Sequence, residues 1–183
     1  ATLAMAPPLA PLIPDLPFAG GLVGVAGYDL VRYFERLPNA PQSPNNPVAP
    51  EAAYLSAESL LVFDHLTRRI ALLHAGTEDE RKKLRGRVIE LLRGALPSAP
   101  PKGSHTPAAQ SLSGDEFMRA VAASKGSIAK GDVYQLVLSV QFTGRHTLSP
   151  FETYRALRLL NPSPYMFFVD LGDIQLAGSS PEA

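Results

Sequence analysis

Two short stretches hold the side chains with the most chemistry to offer. In Lys130-Gly131-Asp132-Val133-Tyr134-Gln135-Leu136-Val137-Leu138-Ser139, the amide of Gln135 interrupts an apolar run. An amide donates and accepts hydrogen bonds but does not titrate near neutral pH, so Gln135 can orient a substrate and cannot act as a general base. On an inward face it must be paired, because an unpaired buried amide costs roughly 1–3 kcal/mol. On an outward face it is an ordinary solvated strand residue. The second stretch is Asn161-Pro162-Ser163-Pro164-Tyr165-Met166. Prolines at alternate positions hold it extended, so it is pre-formed and loses little entropy on binding. Ser163 and Tyr165 offer hydrogen bonds, and Met166 offers an adaptable apolar contact. Such a loop can wall an amphipathic small ligand, or it can simply turn the chain between a helix and a strand.

Other chemistry is sparse. No Ser/His/Asp, Cys/His or two-carboxylate constellation can be assembled, and the absence of cysteine excludes disulfides and thiolate metal sites. Glu182, in Ser179-Ser180-Pro181-Glu182, follows a strand pattern and can face a cleft, but it is a single carboxylate. His65 reads as a turn residue and His105 as a solvent-exposed residue without a partner. His74 reads as a strand end with no acidic or histidine partner at metal-ligand spacing. Gly20, Gly21, Gly24 and Gly27 contain G-x-x-G but not the dinucleotide-binding G-x-G-x-x-G, so a tightly packed interior strand is expected there. The balance of 17 basic and 17 acidic residues points to neither nucleic acid nor a membrane surface. No apolar run is long enough to span a bilayer.

The elements that must position these stretches follow from periodicity. Phe18–Tyr28 reads as a strand, and Asp29–Arg36 as a short helix that Asp29 can cap and Pro38 stops. Asn39–Pro50, rich in proline and asparagine, is a loop. Residues 53–64 and 69–74 form a hairpin about Asp64–Arg68. Thr77–Leu96 is a helix with Thr77 and Glu80 as a capping box. Its many Lys and Arg residues alternate with acids and form a solvated face. Pro97–Ser111, with four prolines, is the linker and domain boundary, giving domains 1–105 and 106–183. Ser113 and Glu116 form a second capping box on a helix that runs to about Lys130. Val133–Phe142 is a strand, Pro150 starts another helix that Asn161-Pro162 ends, and Tyr165–Leu171 and Asp173–Gly178 form a hairpin. The class is α+β, with large mixed or antiparallel sheets and helices outside. The missing initiator Met, and a last strand pattern with no cap after it, lead to the expectation that the chain is incomplete at both ends and poorly stable alone.

In order along the chain, Gly20–Asp29, Val62-Phe63-Asp64-His65, Gly131–Ser139, Asn161–Phe167 and Gly178-Ser179-Ser180-Pro181-Glu182 resemble the component I family of anthranilate synthase, a chorismate-utilising enzyme. Val25 and Ala26 stand where that family more usually has an aromatic pair. The resemblance implies amination of chorismate with ammonia from a glutamine amidotransferase subunit, a requirement for Mg²⁺, and elimination of pyruvate to give anthranilate in the cytoplasm. It also implies feedback inhibition by L-tryptophan bound beside the proline loop, which assigns regulatory contact to Asn161, Ser163, Pro164, Tyr165 and Met166. The family's other tryptophan-binding segment, Leu-Leu-Glu-Ser, would precede Ala1.

Gln135 gains a meaning from the same resemblance. Related isochorismate- and salicylate-forming enzymes carry a lysine base there for water, whereas a glutamine fits the aminating branch. The family's Mg²⁺ ligands, catalytic histidine and chorismate contacts lie beyond the Ser-Pro-Glu motif, so this chain alone is expected to be inactive. Two alternatives stay open: aminodeoxychorismate synthase component I, which shares the glutamine, and a non-catalytic tryptophan-binding module.

Overall fold

A computed structural model describes residues 10–38, 50–98 and 102–180. The chain groups into two compact units, Ala1–Ser98 with Leu157–Ala183, and Ala99–Ala156. The expected division at 105/106 differs from this grouping, because the C-terminal hairpin shares a cavity with the first strand.

In the first unit, β1 (Leu22–Ala26) pairs antiparallel with β2 (Ala52–Ser56). Gly24 opposes Tyr54, and a Cβ on Gly24 would lie 2.0 Å from the Ala53 carbonyl oxygen, so the close backbone approach read from the glycines occurs here. The tightly packed interior strand does not: four of the five β1 residues are exposed and only Val25 is half-buried. Tyr28–Tyr33 forms a 3-10 helix whose cap position is Gly27, without a side-chain cap. Asp29 instead accepts from Arg32 at 2.7 Å, one turn further on, so it is a pairing residue rather than the expected cap.

β3 (Ser59–Asp64) and β4 (Arg69–His74) form the expected hairpin. The Asp64 carboxylate closes its turn by accepting from the Leu66 and Thr67 N–H groups at 2.9 and 3.2 Å and from the Thr67 hydroxyl. His65 is exposed in that turn, as read from sequence. The register puts Ser59, Leu61, Phe63, Ile70, Leu72 and His74 on one face and Leu60, Val62, Ala71 and Leu73 on the other. α1 (Glu78–Arg93) lies over the first of these faces, leaving a groove of about 340 Å³ lined in part by Leu61, Ile70, Leu72 and Val88. Its capping box is complete: Glu80 N–H donates to Thr77 Oγ1, and Thr77 N–H donates to Glu80 Oε2 at 2.7 Å. Among the described residues the buried hydrophobic core is Leu73 alone.

In the second unit, β5 (Ala109–Gln110) pairs with β6 (Phe142–Thr143), and backbone bonds continue the pairing through Thr106 to Arg145 (2.8 Å) and Thr147 to Ser104 (3.0 Å). Much of the expected linker is therefore paired, and His105 is exposed but bridged through its backbone to His146. α2 (Gly114–Lys130) has the expected Ser113–Glu116 capping box and ends at Gly131 with φ 80, a left-handed cap that glycine adopts without strain. The expected strand over 133–142 is the main departure. Only Phe142–Thr143 joins a ladder, extended by one bond in which the Gln141 carbonyl accepts from Ser111 N–H at 2.9 Å; among the described residues no second backbone pairs with 133–140. Tyr134 is 95% exposed and Val137 81%.

α3 (Pro150–Leu160), with Ser149 Oγ accepting from Glu152 N–H, leads into the proline loop. β7 (Tyr165–Asp170) and β8 (Gln175–Ser180) pair antiparallel about a turn with Gly172 at φ 89. The architecture is α+β with antiparallel pairing, as expected. The expected large sheets are instead two-stranded among the described residues.

Candidate functional site

The loop Asn161–Met166 is fixed at both ends. Asn161 N–H donates to Leu157 O at 2.9 Å, closing α3, and the Asn161 carbonyl accepts from the Ser179 hydroxyl at 2.5 Å. From Tyr165 onward the chain is held in register with β8, Tyr165 opposite Ser180 and Met166 opposite Ser179. Between the two prolines, Ser163 Oγ is buried and has no hydrogen-bond partner. A hydroxyl in that state retains both a donor and acceptor capacity for an incoming group. Pro164 is exposed, Tyr165 is 50% exposed and Met166 is half-buried.

Strand alternation puts Tyr165, Phe167 and Val169 on one face of the hairpin and Met166 and Phe168 on the other. Phe167, Val169 and Leu176 join Val23 and Val25 of β1 in lining an apolar cavity of about 300 Å³. The five loop residues read from sequence are therefore contiguous, and they adjoin a strand whose side chains line that cavity. The signals that sequence reading missed are Ser179, which reaches back to the loop from 18 residues away, and Phe167, whose ring lies over Gly178.

Gln135 sits in the other unit, exposed in the unpaired segment after α2. Its amide has the outward placement of the two readings. Glu182 lies outside the described residues.

His74 departs from its reading as well. It does have an acidic neighbour: its Nδ1 is 2.9 Å from Ser59 Oγ, and its Nε2 is 3.9 Å from Glu80 Oε2. The contact forms because α1 begins directly after β4 and turns Glu80 back over the strand end. The Glu80 carboxyl is held below its ordinary value, first by the Thr77 hydroxyl, then by the Thr77 backbone N–H, with a smaller contribution from His74. This is a cap, not a metal site. The Mg²⁺ implied by the resemblance finds no ligand set either: among the described residues, no group of three or more His, Cys, Asp or Glu could hold a metal ion. The described residues do not fit that ion, and none of them is assigned to it. Nor is any helix among the described residues long and apolar enough to cross a membrane.

The chain is 40% identical over 174 residues to anthranilate synthase component 1 of Thermus thermophilus, covering 93% of this chain and 37% of that protein. It is 38% identical over 193 residues to the chloroplastic anthranilate synthase alpha subunit 2 of Oryza sativa subsp. japonica, covering 93% of this chain and 31% of that one. Among solved structures it is similar to anthranilate synthase component I from Streptococcus pneumoniae, with a TM-score of 0.73 and 31% identity over 94% of this chain and 41% of that chain. The chain thus spans 31–37% of the length of these two curated relatives. The chorismate binding enzyme pattern matches residues 3–183, and the chain belongs to the chorismate binding enzyme family.

Proposed function

We propose that this chain serves within an anthranilate synthase component I, in a polypeptide that converts chorismate and glutamine-derived ammonia to anthranilate and pyruvate in tryptophan biosynthesis. The observation that supports this most is the likeness to anthranilate synthase component 1 across 93% of the chain, at 40% identity. In this reading Asn161, Ser163, Pro164, Tyr165 and Met166 contact the inhibitor L-tryptophan. The unpaired Ser163 hydroxyl and the half-exposed Tyr165 ring suit an amphipathic amino acid with one polar and one aromatic end. Gln135 contributes an amide that can orient a substrate and leaves water unactivated, in keeping with ammonia as the nucleophile. Mg²⁺, a glutamine amidotransferase subunit and a cytoplasmic setting belong to the same reading, with no ligand or contact residue assigned to them in this chain.

The test is an assay of the full-length polypeptide that carries these residues. With chorismate, ammonium and Mg²⁺ it is expected to release anthranilate, followed by its fluorescence, together with pyruvate. Aminodeoxychorismate as the product would overturn the reading in favour of the folate-branch synthase. Tryptophan binding without turnover would overturn it in favour of a non-catalytic module.

A further inference from the structure

One residue of β8 holds both ends of the proline loop. Ser179 is the register partner of Met166, where the loop becomes β7, and its hydroxyl donates to the carbonyl of Asn161, where α3 becomes the loop. The Asn161 carbonyl needs such a donor. At a helix C-terminus the last carbonyls have no partner within the helix, and the Ser179 hydroxyl supplies one here. The next residues along the chain are Ser180, Pro181 and Glu182. A displacement of the loop therefore reaches β8 by two routes: the β7–β8 ladder and this single hydroxyl.

We propose that Ser179 is a positioning residue that couples ligand occupancy of the Asn161–Met166 loop to β8. The inference rests on the reading of that loop as the tryptophan contact. A ligand that shifts the loop must either carry Ser179 with it or break the Ser179–Asn161 bond, so loop occupancy and the tie to β8 are linked. The hydroxyl supplies a contact on which such coupling can act, because it joins the start of the loop to the strand that pairs with its end. Loss of one neutral hydrogen bond corresponds to a change of about threefold to tenfold in an equilibrium.

The test has two arms. In this chain, Ser179→Ala is expected to speed amide hydrogen exchange across Tyr165–Asp170 and Gln175–Ser180 by about threefold to tenfold, with α1 as the unchanged internal reference. Ser179→Thr, which keeps the hydroxyl, restores slow exchange. If Ser179→Ala unfolds the hairpin outright, Ser179→Cys keeps the volume with a weaker donor and takes its place. Unchanged exchange in the variant would overturn the tie itself.

In the full-length polypeptide, Ser179→Ala is expected to raise the tryptophan concentration for half-inhibition by about threefold to tenfold, to move KM for chorismate less, and to be rescued by Thr. A wild type that responds to tryptophan beside an Ala variant that responds equally overturns the coupling and leaves the loop's role standing. A wild type indifferent to tryptophan overturns the role of the loop and the coupling with it, while the exchange arm still reports whether the tie exists.

Discussion

The ring of Phe167 covers Gly178, its partner across the β7–β8 hairpin, so closely that a Cβ on Gly178 would lie 2.2 Å from Phe167 Cζ and 2.3 Å from Cε1. A methyl group there has no room unless the ring moves, and the ring also lines the apolar cavity beside β1. Gly178→Ala is therefore expected to weaken the hairpin by about 1–3 kcal/mol, the usual cost of overpacking. Exchange rates over Tyr165–Ser180 measure it. Phe167→Leu in the Gly178→Ala background should recover part of the loss, because it removes the atoms that clash. Strictly additive losses in that double-mutant cycle would show that ring and glycine do not interact.

Each long helix that follows a turn is started by one hydroxyl and one glutamate. Thr77 with Glu80 and Ser113 with Glu116 have matching geometry, with the glutamate bonding the cap N–H at 2.7 and 2.8 Å. Thr77→Ala and Ser113→Ala are each expected to cost about 1 kcal/mol of helix stability. The loss should appear as faster exchange in the first turn of the affected helix only, α1 for one variant and α2 for the other. Equal effects on both helices from a single substitution would contradict the assignment.

The same caps set an acid limit. Glu80 and Glu116 are held below their ordinary carboxyl value, chiefly by the Thr77 and Ser113 hydroxyls, and Asp64 is held low chiefly by the Thr67 hydroxyl. A folded pKa below the unfolded one means that the unfolded chain binds protons first. The stabilisation is therefore complete above the ordinary carboxylate range and is lost as pH falls through the lowered folded values. Helical signal in circular dichroism should decline as the pH falls below the ordinary carboxylate range. Glu80→Gln with Glu116→Gln, which keeps the reciprocal cap without the charge, should flatten that decline. An unchanged profile in the double variant would place the acid sensitivity elsewhere.

What could be read from the sequence was what local physics decides. Thr77, Ser113, Pro150 and Gly172 each act through neighbours within a few residues, and each does in the structure what its type and position suggest. The hairpins at Asp64–Arg69 and Leu171–Asp173 were legible for the same reason. Val133–Val140 was misread because β-propensity reports that a segment suits a ladder, not that a partner strand lies beside it. Ser104–Gln110 erred in the opposite direction: composition said linker, yet a distant segment, 142–147, completes its hydrogen bonds. The loop Asn161–Met166 was found from its own residues. Its support, Ser179, was hidden because a serine in a strand gives no sign of which carbonyl, 18 residues back, it will reach.

Ser163 carries the last prediction. Its hydroxyl is buried without a partner, an arrangement that costs the folded chain part of the desolvation of a polar group. Ser163→Ala removes that group and leaves no polar atom unpaired. It is expected to be neutral, or stabilising by up to about 1 kcal/mol, as read by exchange across β7. In the proposed reading, this hydroxyl is kept at a cost to stability for what it does when a ligand is present. In the full-length polypeptide the same substitution should weaken the tryptophan response, measured by calorimetric titration. A variant that is destabilised instead would mean that the hydroxyl already has a partner in the folded chain, and the loop would then lose its unused donor as an argument for ligand contact.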